Sequence, residues 1–209
     1  MLCNPNNPTG AALDLRDIEE LVYKLADLDL LIIDESFIDF ASVGSASELA
    51  THTANLVVVK SIGKSLGWHG VRLGYAVAQT AHAEQIRQRI PYWNINALAA
   101  FVLERLTKLQ NEFEQSLSLV RADRKSFIQG LSTIPRLNVF SSQANFVFVE
   151  VDKETDGRWL RDALLSENGL MIRACGNKLG TSDRYLRLAV NHPAENNRLI
   201  VALRAMLDR

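Results

Sequence analysis

"LLIIDESF", residues 30–37, is a run of four apolar residues that ends in two acids. A short continuous apolar run reads as a strand buried on both faces, the kind found in parallel sheets covered by helices. Before it, "LDLRDIEELVYKLADLD" (13–29) places Leu15, Ile18, Leu21, Val22 and Leu25 at helical spacing, with Asp14 as N-cap. After it, "ANLVVVKS" (54–61) and "VRLGYAVA" (71–78) repeat the short apolar form. Strand and helix in alternation predict an α/β sheet with parallel members. In such sheets ligands collect at the carboxyl ends of the strands, and Asp34 and Ser61 both fall at such ends.

The pattern changes after residue 95. Leu98, Val102, Leu106, Leu109, Phe113, Leu117 and Val120 follow steps of three and four, which predicts a long helical stretch broken once and closed by Pro135. Strands are then predicted at "NFVFVEV" (145–151), "LMIRAC" (170–175) and "RYLRLAV" (184–190). Helices are predicted at "GRWLRDALLSEN" (157–168), ending before Gly169, and at "AENNRLIVALRAMLDR" (194–209). The chain therefore divides into residues 1–95, a connecting helical region 96–133, and a small α+β domain 134–209.

Bulk composition bounds the function. The 209 residues carry 23 basic against 24 acidic side chains, so nothing in the charge balance calls for nucleic acid or an anionic membrane. No apolar stretch approaches a membrane-spanning length, and no signal peptide is visible. Cys3 and Cys175 lie far apart and read as reduced thiols of a cytoplasmic protein. His52, His69, His82 and His192 have no ligand-like spacing and read as surface or loop residues, so no metal is expected.

The stretch "SIGKSLGWHGVRLGY" (61–75) holds the most chemistry. Lys64 stands among small residues, with Ser61 three before it and Arg72 eight after. One reading is a solvated loop lysine. The other is an amine that forms a Schiff base with an aldehyde cofactor, whose phosphate a hydroxyl and a bidentate guanidinium would hold. The arginine and the glycines favour the second. Asp34 either caps a nearby loop or pairs with a cationic partner such as a pyridinium nitrogen. "NPNNPTG" (4–10) is a strong turn signal in which an asparagine amide is free to donate to a ligand. Arg173 and Arg187 sit inside short apolar strands and either snorkel to the surface or read an anion.

"NPNNPTG", "DESFIDF" and "SIGKSLGWHGVRLGY", in this order and spacing, resemble the fold-type I pyridoxal-phosphate enzymes, the class I and II aminotransferase family, over the whole length of the chain. Within it, the chain is most similar to the branch of threonine-phosphate decarboxylases and histidinol-phosphate aminotransferases. The resemblance implies an α/β, aspartate-aminotransferase-like fold: the C-terminal part of the large cofactor-binding domain, followed by the small α+β domain. It implies pyridoxal 5′-phosphate as cofactor, with Lys64 as Schiff-base lysine and proton shuttle and Asp34 on the pyridine nitrogen. It places Asn7 on the phenolic oxygen, Ser61 and Arg72 on the phosphate, and Arg187 and Arg173 on substrate anions. The implied substrate is a small phosphorylated amino acid or amine, and the implied assembly a homodimer.

Many members of the branch have a tyrosine where this chain has Phe37, whereas threonine-phosphate decarboxylases have "DEAF" at that place. "IPYWNINALAA" (90–100) looks like their "PWSVNALA", which leans the expectation toward decarboxylation for the cobalamin side chain, with transamination as the alternative. Family members also carry a further N-terminal part ahead of "NPNNPTG". The expectation is a fragment or processed chain that lacks it, or a chain that a partner completes, with a catalytically incompetent fragment as a further alternative.

Overall fold

The computed structural model describes residues 1–208. It divides into two units, residues 1–6 with 12–118, and residues 7–11 with those from Leu119 onward.

In the first unit, strands β1 (Leu2–Cys3), β2 (Leu31–Asp34), β3 (Leu56–Ser61) and β4 (Gly74–Ala78) form one sheet in that order. β1, β2 and β3 are parallel, and β4 runs antiparallel to β3. Helix α1 (Leu15–Lys24) starts where Asp14 accepts a hydrogen bond from Asp17 N at 2.9 Å. Its Ile18 and Val22 pack with Leu31, Ile33, Leu56 and Val58 of the sheet and with Ala46 and Ala50, the latter in helix α2 (Ser47–His52). This corrects the expectation of a β2 buried on both faces. Leu31 and Ile33 enter that core, while Ile32 and Asp34 on the opposite face are half-buried.

β3 leads into α3 (Ile62–Ser65), a 3-10 turn over His69–Val71, and then β4. The strand expected from Val71 starts at Gly74, because Arg72 turns the chain at φ +54. A Cβ at Gly74 would collide with Lys60 O, so the close passage of β4 past β3 requires glycine there. Helix α4 (Thr80–Arg89) follows. The long helical stretch is α5 (Ala97–Leu106) and α6 (Gln110–Leu131), and its one break falls at residues 107–109. Asn96 caps α5 by accepting from Ala99 N at 2.9 Å and donates to Val71 O at 3.1 Å. Val102 and Leu117 of the apolar stripe are buried, but Leu98 and Leu109 are exposed.

In the second unit, β5 (Leu137–Val139), β6 (Phe146–Val151), β7 (Arg173–Ala174) and β8 (Tyr185–Ala189) form an antiparallel sheet in the order β5-β6-β8-β7. Helices α7 (Gly157–Asn168) and α8 (Pro193–Leu207) bury Leu160, Leu164, Leu199 and Leu203 with Val147, Val149, Leu186 and Leu188. Asp156 caps the start of α7. Gly169 ends it at φ +64, where Leu170 N bonds Leu164 O in the usual C-terminal closure. The strand expected over 170–175 shrinks to two residues. Leu170 and Ile172 drop into the core, and after Cys175 the chain turns at Lys178. Arg136 secures the C-terminal helix, pairing with Asp152 and donating to Leu207 O at 2.6 Å.

Among the described residues no helix is long and apolar enough to cross a membrane. Among the described residues, no group of three or more His, Cys, Asp or Glu side chains is placed to hold a metal.

Candidate active site

Parallel pairing brings the carboxyl ends of β2 and β3 side by side, with Asp34 in register with Cys3 on one neighbour and Val59 on the other. Asp34 Oδ1 accepts from Ser36 N at 2.9 Å, and Cys3 Sγ lies 4.0 Å from Oδ2. The next residue, Glu35, is only 2% exposed. It accepts from Ala46 N at 2.7 Å and Ser45 Oγ at 2.5 Å, and pairs with Lys60 Nζ at 3.4 Å. One buried ion pair thus ties together the residue after Asp34 and the residue before Ser61. No role was expected for Glu35 or Lys60. The available signal was a pair of opposite charges beside the ends of two adjacent apolar runs.

Ser61 stands at the N-terminal end of α3, and its single turn carries Lys64. Lys64 Nζ lies 4.0 Å from the centroid of the Phe37 ring, within cation–π range. Ser61, Gly63, Lys64, His69, Arg72 and Gly74 line a cleft of about 300 Å³. Arg72 is exposed and its Nη1 donates to His69 O at 3.2 Å. His69, read from the sequence as a loop residue, is exposed and belongs to this cleft, with Nδ1 3.2 Å from Gly63 O. A Cβ on Gly63 would press on Trp68 O at 3.1 Å, so that part of the wall is bare backbone. The cleft therefore offers a hydroxyl, a guanidinium and a primary amine, a donor set that fits a small phosphorylated aldehyde. Asp34 lies outside the lining of this cleft, at the end of β2.

Burial pushes the Cys3 thiol above its usual range; the Asp34 carboxylate raises it further, while Lys64 opposes the rise. Iodoacetamide labelling of Cys3 near neutral pH is therefore expected to be slow. Asp34→Asn removes one raising influence, lowers the thiol pKa and speeds labelling, because the thiolate is the nucleophile. Peptide-resolved labelling rates check this, with Cys175, which is fully buried, as the internal control. An unchanged Cys3 rate in Asp34→Asn would contradict the contact.

The second unit gathers Asn7, Arg173 and Arg187. Asn7 lies within a loop in which both Asn4–Pro5 and Asn7–Pro8 are cis. Its Oδ1 accepts from Arg187 Nη1 at 2.8 Å. Arg187 on β8 is in register with Arg173 on β7. Its guanidinium lies 4.9 Å from the Phe146 ring centroid. Like charges directly opposite on neighbouring strands repel, and an anion between them relieves that cost. Burial, and then Arg173, pull the Arg187 guanidinium below its usual range. Arg173 itself is exposed on its two-residue strand. Of the two arginines, Arg187 is the more enclosed.

Comparison with known proteins agrees with these features. The family model for class I and II aminotransferases matches residues 1–203. Threonine-phosphate decarboxylase of Salmonella typhimurium is 34% identical over 99% of this chain and 57% of its own length. The structure of a decarboxylase from Sulfurospirillum multivorans superposes with a TM-score of 0.92 at 32% identity, covering 99% of this chain and 55% of that one. Histidinol-phosphate aminotransferase of Sinorhizobium meliloti, solved with pyridoxal-5′-phosphate, shares the fold with a TM-score of 0.88 at 21% identity, covering 99% and 57%. The chain thus spans little more than half the length of these relatives. With the cleft and its donor set in place, and the family match extending from residue 1 to residue 203, the chain belongs to the class I and II aminotransferase family of pyridoxal-phosphate enzymes.

Proposed function

We propose that this chain serves a pyridoxal-phosphate enzyme acting on a phosphorylated amino acid, with loss of the α-carboxylate as its reaction. The observation that carries the reading is the single cleft shared by Ser61, Lys64 and Arg72. When bound, the cofactor supplies an aldehyde that takes up a primary amine and a ring that withdraws electrons from the carbon beside it.

The remaining steps belong to the protein. The Ser61 hydroxyl and the Arg72 guanidinium would hold the phosphate. Lys64 Nζ provides the amine that anchors the cofactor and then moves a proton at the substrate's α-carbon. Asp34 holds a proton on the pyridine nitrogen, strengthening the ring as an electron sink. Asn7 Oδ1 already accepts from Arg187, which leaves Nδ2 to donate to the ring's phenolic oxygen. Phe37 has no hydroxyl to share that task, so the bond falls to Asn7. Arg187 and Arg173 take the substrate's anionic groups and so decide which bond at the α-carbon stands ready to break.

Phe37 in "DESF" and the segment "IPYWNINALAA" favour decarboxylation. Transamination of histidinol phosphate is the second reading, since the same arginine pair suits its phosphate. The assembly is proposed to be a homodimer in the cytoplasm, a compartment that suits two free thiols. Turnover tests the reading. O-phosphothreonine should release carbon dioxide with no keto acid present. Glutamate formed from 2-oxoglutarate, with histidinol phosphate giving up its amino group, would replace decarboxylation by transamination, and neither product would overturn both.

A further inference from the structure

One buried cation in the second unit has no part in the chemistry above. Arg124, on α6, is 7% exposed, and its Nη1 donates to Ala144 O at 2.9 Å. Its guanidinium is held below the usual range by burial and by the neighbouring Arg121. Enclosing a guanidinium costs free energy unless its geometry is used, and its planar fork fixes the direction of the group it holds.

Ala144 lies in the connection between β5 and β6, residues 140–145. There, Ser142 Oγ donates to Phe146 O at 2.5 Å and accepts from Ala144 N at 3.1 Å. The same connection abuts Gly10. Gln143 N donates to Gly10 O at 2.8 Å, and a Cβ on Gly10, at φ +73, would run into Ser142. Gly10 closes the turn that carries Asn7. Phe146, whose carbonyl Ser142 holds, turns its ring to Arg187. Arg187 in turn donates to Asn7. Two branches therefore leave the segment that Arg124 anchors. One passes through Gly10 to the Asn7 turn, the other through Phe146 to Arg187, and they meet at the Asn7–Arg187 hydrogen bond.

We propose that Arg124 is a positioning residue: by holding Ala144 O it fixes residues 141–145, and through them both partners of the Asn7–Arg187 bond. The positioning rests on these contacts alone; its consequence for substrate rests on the reading of Arg187 as the anion site.

Nuclear magnetic resonance of the full ¹⁵N-labelled chain tests it. Arg124→Met is expected to move and broaden the Asn7 side-chain amide and Arg187 Nε resonances, and to weaken inorganic phosphate binding by about tenfold. The methyl signals of Leu160, Leu164 and Leu203 in the core should stay in place. Arg124→Lys should restore part of the effect, because an ammonium reaches one carbonyl without fixing its direction. Ser142→Ala removes the hydroxyl that joins the branches; it should reproduce the change at smaller size and decides the matter if Arg124→Met does not fold. Unmoved Asn7 and Arg187 resonances in the folded variants would overturn the proposal. Absence of phosphate binding in the unaltered chain would sink the anion-site reading instead, while the resonances would still test the positioning.

Discussion

Lys64→Ala is expected to lower turnover by roughly 10²–10⁴-fold, the contribution of a positioned acid–base group, and to abolish covalent retention of the cofactor. The side chain sits on a one-turn helix beside Ser61, with its amine 4.0 Å from the Phe37 ring centroid, and is only partly buried. The variant should therefore fold and melt much like the parent. Lys64→Arg should be equally inactive despite keeping the positive charge, because a guanidinium does not shed its proton in a protein. Steady-state rates with the phosphorylated substrate, alongside thermal melts, separate loss of chemistry from loss of fold. Turnover that survives Lys64→Ala would remove Lys64 from the mechanism.

Glu35→Ala should act through stability. The carboxylate is 2% exposed and holds Ala46 N, Ser45 Oγ and Lys60 Nζ. Removing one partner of a buried ion pair leaves the other charge uncompensated, at a cost of about 3–5 kcal/mol. Lys60→Met should cost less, since Glu35 keeps its two other donors. The double variant Glu35→Ala with Lys60→Met should cost less than the sum of the singles, with a coupling of about 0.5–3 kcal/mol. Urea unfolding of the four proteins measures this. Additive losses would mean that the pair does not bind the strand ends together. Because Lys60 precedes Ser61, the singles should also loosen the phosphate grip, seen as weaker cofactor retention in protein that remains folded.

Local spacing explains why part of the site was legible in the sequence. Ser61 and Lys64 are three residues apart, so a single helical turn places both on one cleft. Asp34 was legible because an apolar run that ends in acid marks a strand terminus. Helix ends were legible where a cap spells them out, as at Asp14, Asp156 and Gly169. What stayed hidden depends on partners remote in the chain. The direction of β4 is invisible to period-two patterning, and its late start follows from the backbone turn at Arg72. The strand around Arg173 is short because Leu170 and Ile172 are claimed by the core, which an apolar run alone does not reveal. Asn7 and Arg187 are 180 positions apart, and only antiparallel pairing of β6, β7 and β8 arrays Arg187 beside Arg173 and Phe148. Glu35 read as one letter of a motif, yet its burial depends on Ser45, Ala46 and Lys60 arriving around it.

The measurement that tests the central claim most directly is borohydride fixation of pyridoxal phosphate on the purified chain, followed by peptide mapping. The account predicts one modified residue, Lys64, and no incorporation in Lys64→Ala. Incorporation spread over other lysines such as Lys24, Lys108, Lys153 and Lys178, or none at all, would contradict it.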